Sequence, residues 1–316
     1  MVSAYIALYL FLAGAGAGAF LLGSVVDMVL RFRSSAARGW FARVSAVTDA
    51  GLVLGPILVA ASALFLVLDL GVPVRALRLF FVATPSLLSM GAWGILGFCV
   101  SAVLALALGA LAGDDDGDYG EDRGAGHVVL RVAEFACSVA ATGLALFVVV
   151  YAGVFLAMYP SLPFLHTPWI PVLFVASALA CGLAVLMVTA FFRQAAPEVP
   201  MAVDALLGVD AVIVAVEAIV LAAFLVAAWS AGGPALAAVQ SLISGRLFSL
   251  FWIGVVFAGL VVPLSVDVVC RTLPAPVAVA LGAACTLVGG LSLRIALLMA
   301  TERFNLAFMS ALGFWN

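Results

Sequence analysis

Residues 13–19 read AGAGAGA and lie inside one apolar run of about residues 4–30. Gly14, Gly16 and Ala19 fit G-x-G-x-x-G/A, the fingerprint of a dinucleotide-binding turn. Gly14 and Gly18 also fit the small-residue spacing that lets two membrane helices approach closely. A dinucleotide fingerprint needs a preceding strand and an acid about 20 residues on, whereas the next acid here follows Ala19 by only eight residues, inside the same run. The stretch therefore predicts a membrane helix that presents glycines to a neighbour.

The composition of the whole chain agrees with this interpretation. Of its 316 residues, 67% are hydrophobic and 9% are charged, against about 25% charged in an ordinary globular protein. Apolar runs of about 20 residues, each long enough to cross the hydrocarbon of a bilayer, recur along the sequence. We predict an all-α polytopic membrane protein with eight transmembrane helices, at about residues 4–30, 46–68, 89–112, 128–157, 168–192, 205–229, 248–269 and 276–300.

Eight spans with mostly short connections favour two four-helix bundles, which we assign to residues 1–160 and 161–316. Arginine gives the orientation, because the chain contains no lysine. Connections after odd-numbered spans carry Arg31, Arg33, Arg38, Arg43, Arg123, Arg131, Arg193 and Arg271, whereas the other side carries Arg75, Arg78, Arg246 and Arg303. Because cytoplasmic loops are enriched in basic residues, we expect odd connections in the cytoplasm and both termini outside.

Cysteine and histidine limit the cofactors that this chain can carry. The five cysteines form no C-x-x-C pair, whereas iron–sulfur clusters need several cysteines at close spacing. The two histidines, His127 and His166, lie near connections rather than in mid-span. We therefore expect no iron–sulfur cluster, no intramembrane haem and no metal in this chain. There is also no basic stripe suited to nucleic acid.

A few ionisable residues lie within the predicted spans, where a charge costs about 2.5–3.5 kcal/mol even on a lenient scale. Glu217 lies near the middle of the sixth span, with Asp210 seven residues earlier on the same face. Arg294 in the eighth span lies at a depth that allows a pair with Glu217. Glu134 lies about two turns into the fourth span. These four residues form either a proton path or structural ion pairs, which for Glu134 would involve local arginines.

The outer end of the first bundle carries two tyrosines and an aspartate. Tyr9 opens the first span, Asp69 closes the second and Tyr151 lies near the outer end of the fourth. A phenol can donate a hydrogen bond to a quinone carbonyl, and a carboxyl can exchange the protons of quinone chemistry. The alternative is that the tyrosines anchor the helices at the membrane interface.

Several stretches together resemble the NrfD/PsrC family, the quinone-reactive membrane subunit of polysulfide-reductase-type complexes. The strongest is LDLGVPVRALRLFF (68–81), continued by TPSLLSMGAWG (84–94). The remaining similar stretches are YLFLAGAGAGAF (9–20), YAGVFLAMYPSLPFLHTPWIPVLFVASALACG (151–182), FWIGVVFAGLVVPL (251–264) and LVGGLSLRIALLMA (287–300).

The resemblance implies a menaquinone or ubiquinone site at the outer face of the first bundle, in a bacterial cytoplasmic membrane. It implies that Tyr151 hydrogen-bonds the quinone, with Tyr9 nearby and Asp69 as the site carboxyl. It also implies a four-cluster ferredoxin-like iron–sulfur subunit docked on that face, with Arg75 and Arg78 meeting it or the quinone rim, and a molybdopterin catalytic subunit beyond. Arg75 and Arg78 could equally contact lipid phosphates.

The leading hypothesis is therefore a membrane subunit, not catalytic on its own, that exchanges electrons and protons between quinone and an iron–sulfur partner. A secondary transporter, with the intramembrane acids as ion or substrate sites, is the alternative of another class. An anchor that assembles a complex without touching quinone is the third.

Overall fold

The computed structural model describes residues 4–32, 38–69, 87–113, 125–158, 162–273 and 275–311. Within these ranges the protein is all-helical, with nine helices and no strand. They are α1 (Ala4–Phe32), α2 (Arg38–Asp69), α3 (Leu87–Ala112), α4 (Ala125–Ala157), α5 (Trp169–Phe192), α6 (Val199–Ala231), α7 (Gly233–Ile243), α8 (Leu250–Cys270) and α9 (Pro276–Ala311).

Eight of the nine helices are long and apolar enough to cross a membrane, all except the 11-residue α7. This confirms the predicted multi-pass membrane protein and its eight spans. The helical form follows from the solvent, because hydrocarbon offers no partner to backbone N–H and C=O groups and a helix satisfies them within the segment. Several helices exceed the predicted apolar spans: α2 begins at Arg38 and α6 at Val199. The helices continue past their apolar parts because the hydrogen bonds between successive turns of the backbone do not require hydrophobic side chains.

The glycine run of α1 lies where several helices meet. A Cβ at Gly18 would overlap the backbone carbonyl of Ala178 on α5, and a Cβ at Gly16 would lie 2.8 Å from the Gly55 carbonyl oxygen on α2. A Cβ at Gly14 would lie 2.9 Å from Nη2 of Arg294 on α9. The run therefore permits close approach on several faces of α1 rather than the single face predicted.

The helix order defines two ends of the molecule. The arginine-rich end contains Arg31, Arg131, Arg193 and Arg271, at the starts or ends of four helices. The tyrosine end is opposite and contains Tyr9, early in α1, and Tyr151, late in α4. Contacts between helices support this arrangement, since Arg31 of α1 binds α4 and the rings of Tyr5 on α1 and Phe65 on α2 stack at 6.4 Å.

The predicted division into two bundles, and the boundary between residues 160 and 161, stay predictions. Helix α1 contacts α2 and α4 but also α5 and α9 from the second half. The apolar windows of α1 and α5 are 61% and 67% buried, against 17% for α3. The centre of the molecule is therefore formed by α1 and α5, with α3 at the periphery.

Candidate functional site

A hydrogen bond and aromatic packing fix the side chain of Tyr151 at the tyrosine end. Its phenol donates a hydrogen bond of 2.6 Å to the carbonyl oxygen of Leu87, at the start of α3. Its ring lies between Phe147 and Phe155, with ring centroids at 5.5 and 5.7 Å. A Cβ on Gly91 would overlap this ring, so the glycine makes room for it. The phenol oxygen is thus held at the junction of α3 and α4 by packing as well as by the hydrogen bond.

Tyr9 and the end of α2 lie at the same end of the molecule. Tyr9 is half-buried and packs against two apolar clusters, which include Val149 and Ala152 on either side of Tyr151. Asp69 is the last residue of α2, one turn beyond Phe65, and the structure describes its backbone only. Arg75 and Arg78 lie outside the described residues.

A buried polar cluster connects α1, α5, α6 and α9 at the centre of the molecule. Arg294 is the largest fully buried side chain among the described residues, at 1% exposure. Its Nε donates to the carbonyl of Leu10 at 3.2 Å, and its Nη1 donates to the Gly290 carbonyl at 2.7 Å and to Ser177 Oγ at 3.1 Å. The rings of Phe11 and Phe174 lie 5.7 and 5.4 Å from its guanidinium carbon, a range in which an aromatic ring attracts a cation.

Glu217 is also buried, and it meets Arg294 differently from the direct pair expected. The hydroxyl of Ser177 accepts a hydrogen bond from Arg294, and the Glu217 carboxyl interacts with both of these side chains. In the described part of the chain no ion pair within 4.0 Å joins Glu217 to Arg294. A hydroxyl can donate one bond while accepting another, so Ser177 links the two charged groups. Nη2 of Arg294 has no hydrogen-bond partner among the described residues.

Asp210 faces another acid. It lies on α6 seven residues before Glu217, and α6 packs against the part of α8 that carries Asp267, whose carboxyl interacts electrostatically with that of Asp210. Both side chains are buried, at 5% and 3% exposure. Nothing in the spacing of the sequence indicates which helix Asp267 faces.

Glu134 is enclosed by arginines at the arginine-rich end. Its Oε1 accepts from Arg31 at 2.7 Å and its Oε2 from Arg131 at 3.4 Å. Arg31 also binds Asp27 at 2.9 Å. The sequence analysis gave two alternatives for Glu134, and the ion pair with local arginines is the one of these that the structure contains. The pairing does not test the expected participation of Glu134 in a proton path.

Two further groups in this framework had no usable signal in the sequence. Ser177 is one hydroxyl in an apolar span, and such residues commonly bond their own backbone. The Leu87 carbonyl that binds Tyr151 is a backbone group whose availability depends on where α3 begins. Among the described residues no cluster of three or more metal-ligating side chains occurs.

The chain is similar to known proteins along nearly its whole length. The sequence model of the family described as "Polysulphide reductase, NrfD" matches residues 2–305. A polysulfide reductase subunit of Wolinella succinogenes is 30% identical over 310 residues, which cover 95% of this chain and 93% of that protein. The resemblance found in the separate stretches thus extends through the spans that carry Tyr9, Tyr151, Glu217 and Arg294. The chain belongs to the NrfD family of polysulphide reductase membrane subunits.

Proposed function

We propose that this chain exchanges electrons and protons between a membrane quinone and an iron–sulfur partner, as the membrane subunit of a polysulfide-reductase-like complex. Family membership makes it a membrane anchor in a respiratory complex, and the quinone step is the part proposed. The observation that carries it is the position of Tyr151, whose phenol is fixed at the tyrosine end, where Tyr9 also lies.

The chemistry of a phenol suits a quinone in either redox state. While the Tyr151 proton binds the Leu87 carbonyl, the phenol oxygen can accept a hydrogen bond from a quinol hydroxyl. If the proton turns away from Leu87, it can bind a quinone carbonyl. Quinol oxidation releases two electrons and two protons, and Asp69, at the end of α2, is our candidate to receive a proton. The electrons pass to the partner, because this chain has no cysteine arrangement suited to an iron–sulfur cluster.

The partner subunits and orientation are part of the same proposal. The iron–sulfur partner is a four-cluster ferredoxin-like subunit that docks at the tyrosine end near Arg75 and Arg78, with a molybdopterin subunit beyond it. Menaquinone or ubiquinone is the substrate. The membrane is the bacterial cytoplasmic membrane, with both termini and the tyrosine end outside and the arginine-rich end in the cytoplasm.

A second part of the proposal is a proton path through Asp210, Glu217 and Arg294. These residues lie in order from the arginine-rich end toward the centre, where Arg294 binds the carbonyl of Leu10, next to Tyr9. Ionisable residues within transmembrane segments are rare and mark substrate or ion pathways and proton relays. Glu134 lies in α4 with both carboxylate oxygens on arginines, so we place it outside this path.

Copurification separates the proposal from the transporter and from the passive anchor. Iron–sulfur absorbance together with bound quinone in the purified complex supports the proposal. Iron–sulfur absorbance without quinone favours an anchor that does not touch quinone. Absence of both favours a transporter, in which the buried acids would bind ions or substrate.

The direct test replaces Tyr151 by Phe, which removes one hydroxyl and keeps the ring. We expect quinol-dependent turnover to fall about 10²-fold or more, because proton-transfer groups contribute about 10²–10⁴-fold, while the complex still assembles. Tyr5→Phe is the matched control, because Tyr5 lies at the same end but is exposed and stacks on Phe65. Wild-type turnover in Tyr151→Phe, or equal losses in both variants, would contradict the proposed site.

A further inference from the structure

Two helices bring a pair of buried carboxyls together near the arginine-rich end. Asp210 on α6 and Asp267 on α8 are each less than one-tenth exposed. Helix α6 packs against the part of α8 that carries Asp267, and the two carboxyls interact electrostatically. Asp210 Oδ1 and Asp267 Oδ2 are buried and have no hydrogen-bond partner among the described residues. Carboxylate oxygens left in this state carry an uncompensated desolvation cost.

The charges around the pair indicate how this cost is met. Two ionised carboxylates side by side in a poorly solvated site repel each other, and such pairs retain a proton. The positive group beside them is Arg271, one turn beyond Asp267, and its Nη2 would lie 2.8 Å from a Cβ on Gly208. Glu217 lies two turns further in and has its own partners in Ser177 and Arg294. Two carboxyls, one proton and Arg271 together give zero net charge.

A cavity lies at the arginine-rich end, and its lining comes within one helical turn of each aspartate. It has a volume of about 380 Å³ and lies between α5, α6, α8 and α9. Its walls include Leu207 and Cys270, which lie three residues from Asp210 and Asp267 on the same helices, and therefore on the same faces. Gln194 and the exposed Asp204 supply polar groups to its lining. The volume exceeds the roughly 30 Å³ that one water molecule occupies in the liquid.

We propose that Asp210 and Asp267 form a carboxyl–carboxylate pair that holds one proton and exchanges it with water through this cavity. In the charging step a carboxylate oxygen takes a proton from hydronium and releases water, and the reverse step returns it; no electrons move. This site would be the entrance of the proton path to Glu217, and that role rests on the second part of the proposed function. It adds Asp267 and the cavity to that path.

Infrared difference spectroscopy tests the pair in the purified complex. The probe is exchange from H₂O to D₂O, which shifts the carbonyl stretch of protonated carboxyl groups. We expect Asp210→Asn and Asp267→Asn each to remove one protonated-carboxyl band, and the double variant to remove no more than either single variant, because one proton is shared. Unchanged bands in both single variants, or two bands lost in the double variant, would overturn the pair. Asp27→Asn is the control and removes no such band, because Asp27 forms an ion pair with Arg31.

The exchange rate tests the cavity separately. Leu207→Trp fills it, and we expect the band to remain while deuterium exchange slows at least tenfold. Ala190→Phe fills the same cavity from α5 and serves if the first variant does not fold. If a variant with a filled cavity keeps the protonated-carboxyl band and exchanges deuterium at the wild-type rate, the cavity is not the route by which the proton exchanges. None of these measurements needs quinol turnover, so they can fail while the Tyr151 test succeeds, and the reverse.

Discussion

At the scale of single residues, Arg294 lies deep among apolar side chains, and no described carboxylate is in direct contact with it. Three hydrogen bonds and two aromatic rings compensate part of its desolvation. The sequence located Arg294 and Glu217 at similar depth, because depth follows from position within a span. It could not predict that Ser177 joins them, since that contact depends on the rotation of α5. The roles of Tyr9, Asp69 and Tyr151 likewise depend on side-chain surroundings that periodicity does not specify.

Two buried glutamates give a paired prediction at this scale. We expect Glu217→Gln to lower quinol-dependent turnover about tenfold or more, because an amide cannot accept and release a proton as a carboxyl does. We expect Glu134→Gln to leave turnover unchanged and to cost about 1 kcal/mol of stability, since its arginine partners are about one-third exposed and solvent weakens the pairs. Turnover and thermal unfolding of both variants check this. A Glu134→Gln variant as slow as Glu217→Gln would return Glu134 to the proton path.

At the scale of the helices, hydrophobic length predicted all eight spans, because the hydrocarbon thickness and the backbone's need for hydrogen bonds together leave few alternatives. It did not predict that residues Leu250–Val261 of α8 form a π-helix. The choice between π and α winding depends on packing, and here Gly254 lies against Ser292 and Gly259 against Gly289 of α9. Composition alone contains no information about such contacts.

The glycine run of α1 supports a prediction about helix packing. We expect Gly18→Ala to destabilise the protein by about 1–3 kcal/mol, the usual cost of an overpacked core, because the new methyl group overlaps the Ala178 carbonyl of α5. Gly143→Ala on α4 is the control: its added Cβ meets nothing within 4 Å, and alanine is the better helix former. Thermal unfolding in detergent compares the two. Equal midpoints for Gly18→Ala and wild type would show that α1 and α5 are further apart than described.

At the scale of the whole molecule, the distribution of arginine predicts which end faces the cytoplasm. We expect Ser244→Cys, an exposed position at the tyrosine end, to react with a membrane-impermeant maleimide in intact cells. Thr272→Cys, exposed at the arginine-rich end, should react only after the membrane is opened. The background variant lacks the five native cysteines. The reverse pattern would invert the topology and move the proposed quinone site to the cytoplasmic face.

The contact between Gly14 of α1 and Arg294 of α9 has a consequence for biosynthesis. The ribosome delivers α1 to the membrane first, yet one of the groups that covers its glycines arrives with α9, the last span. Until then the surface of α1 around Gly14 is incompletely packed. Maturation of this subunit therefore depends on completing the final span, and a chain truncated before α9 should be recognised by membrane quality-control proteases.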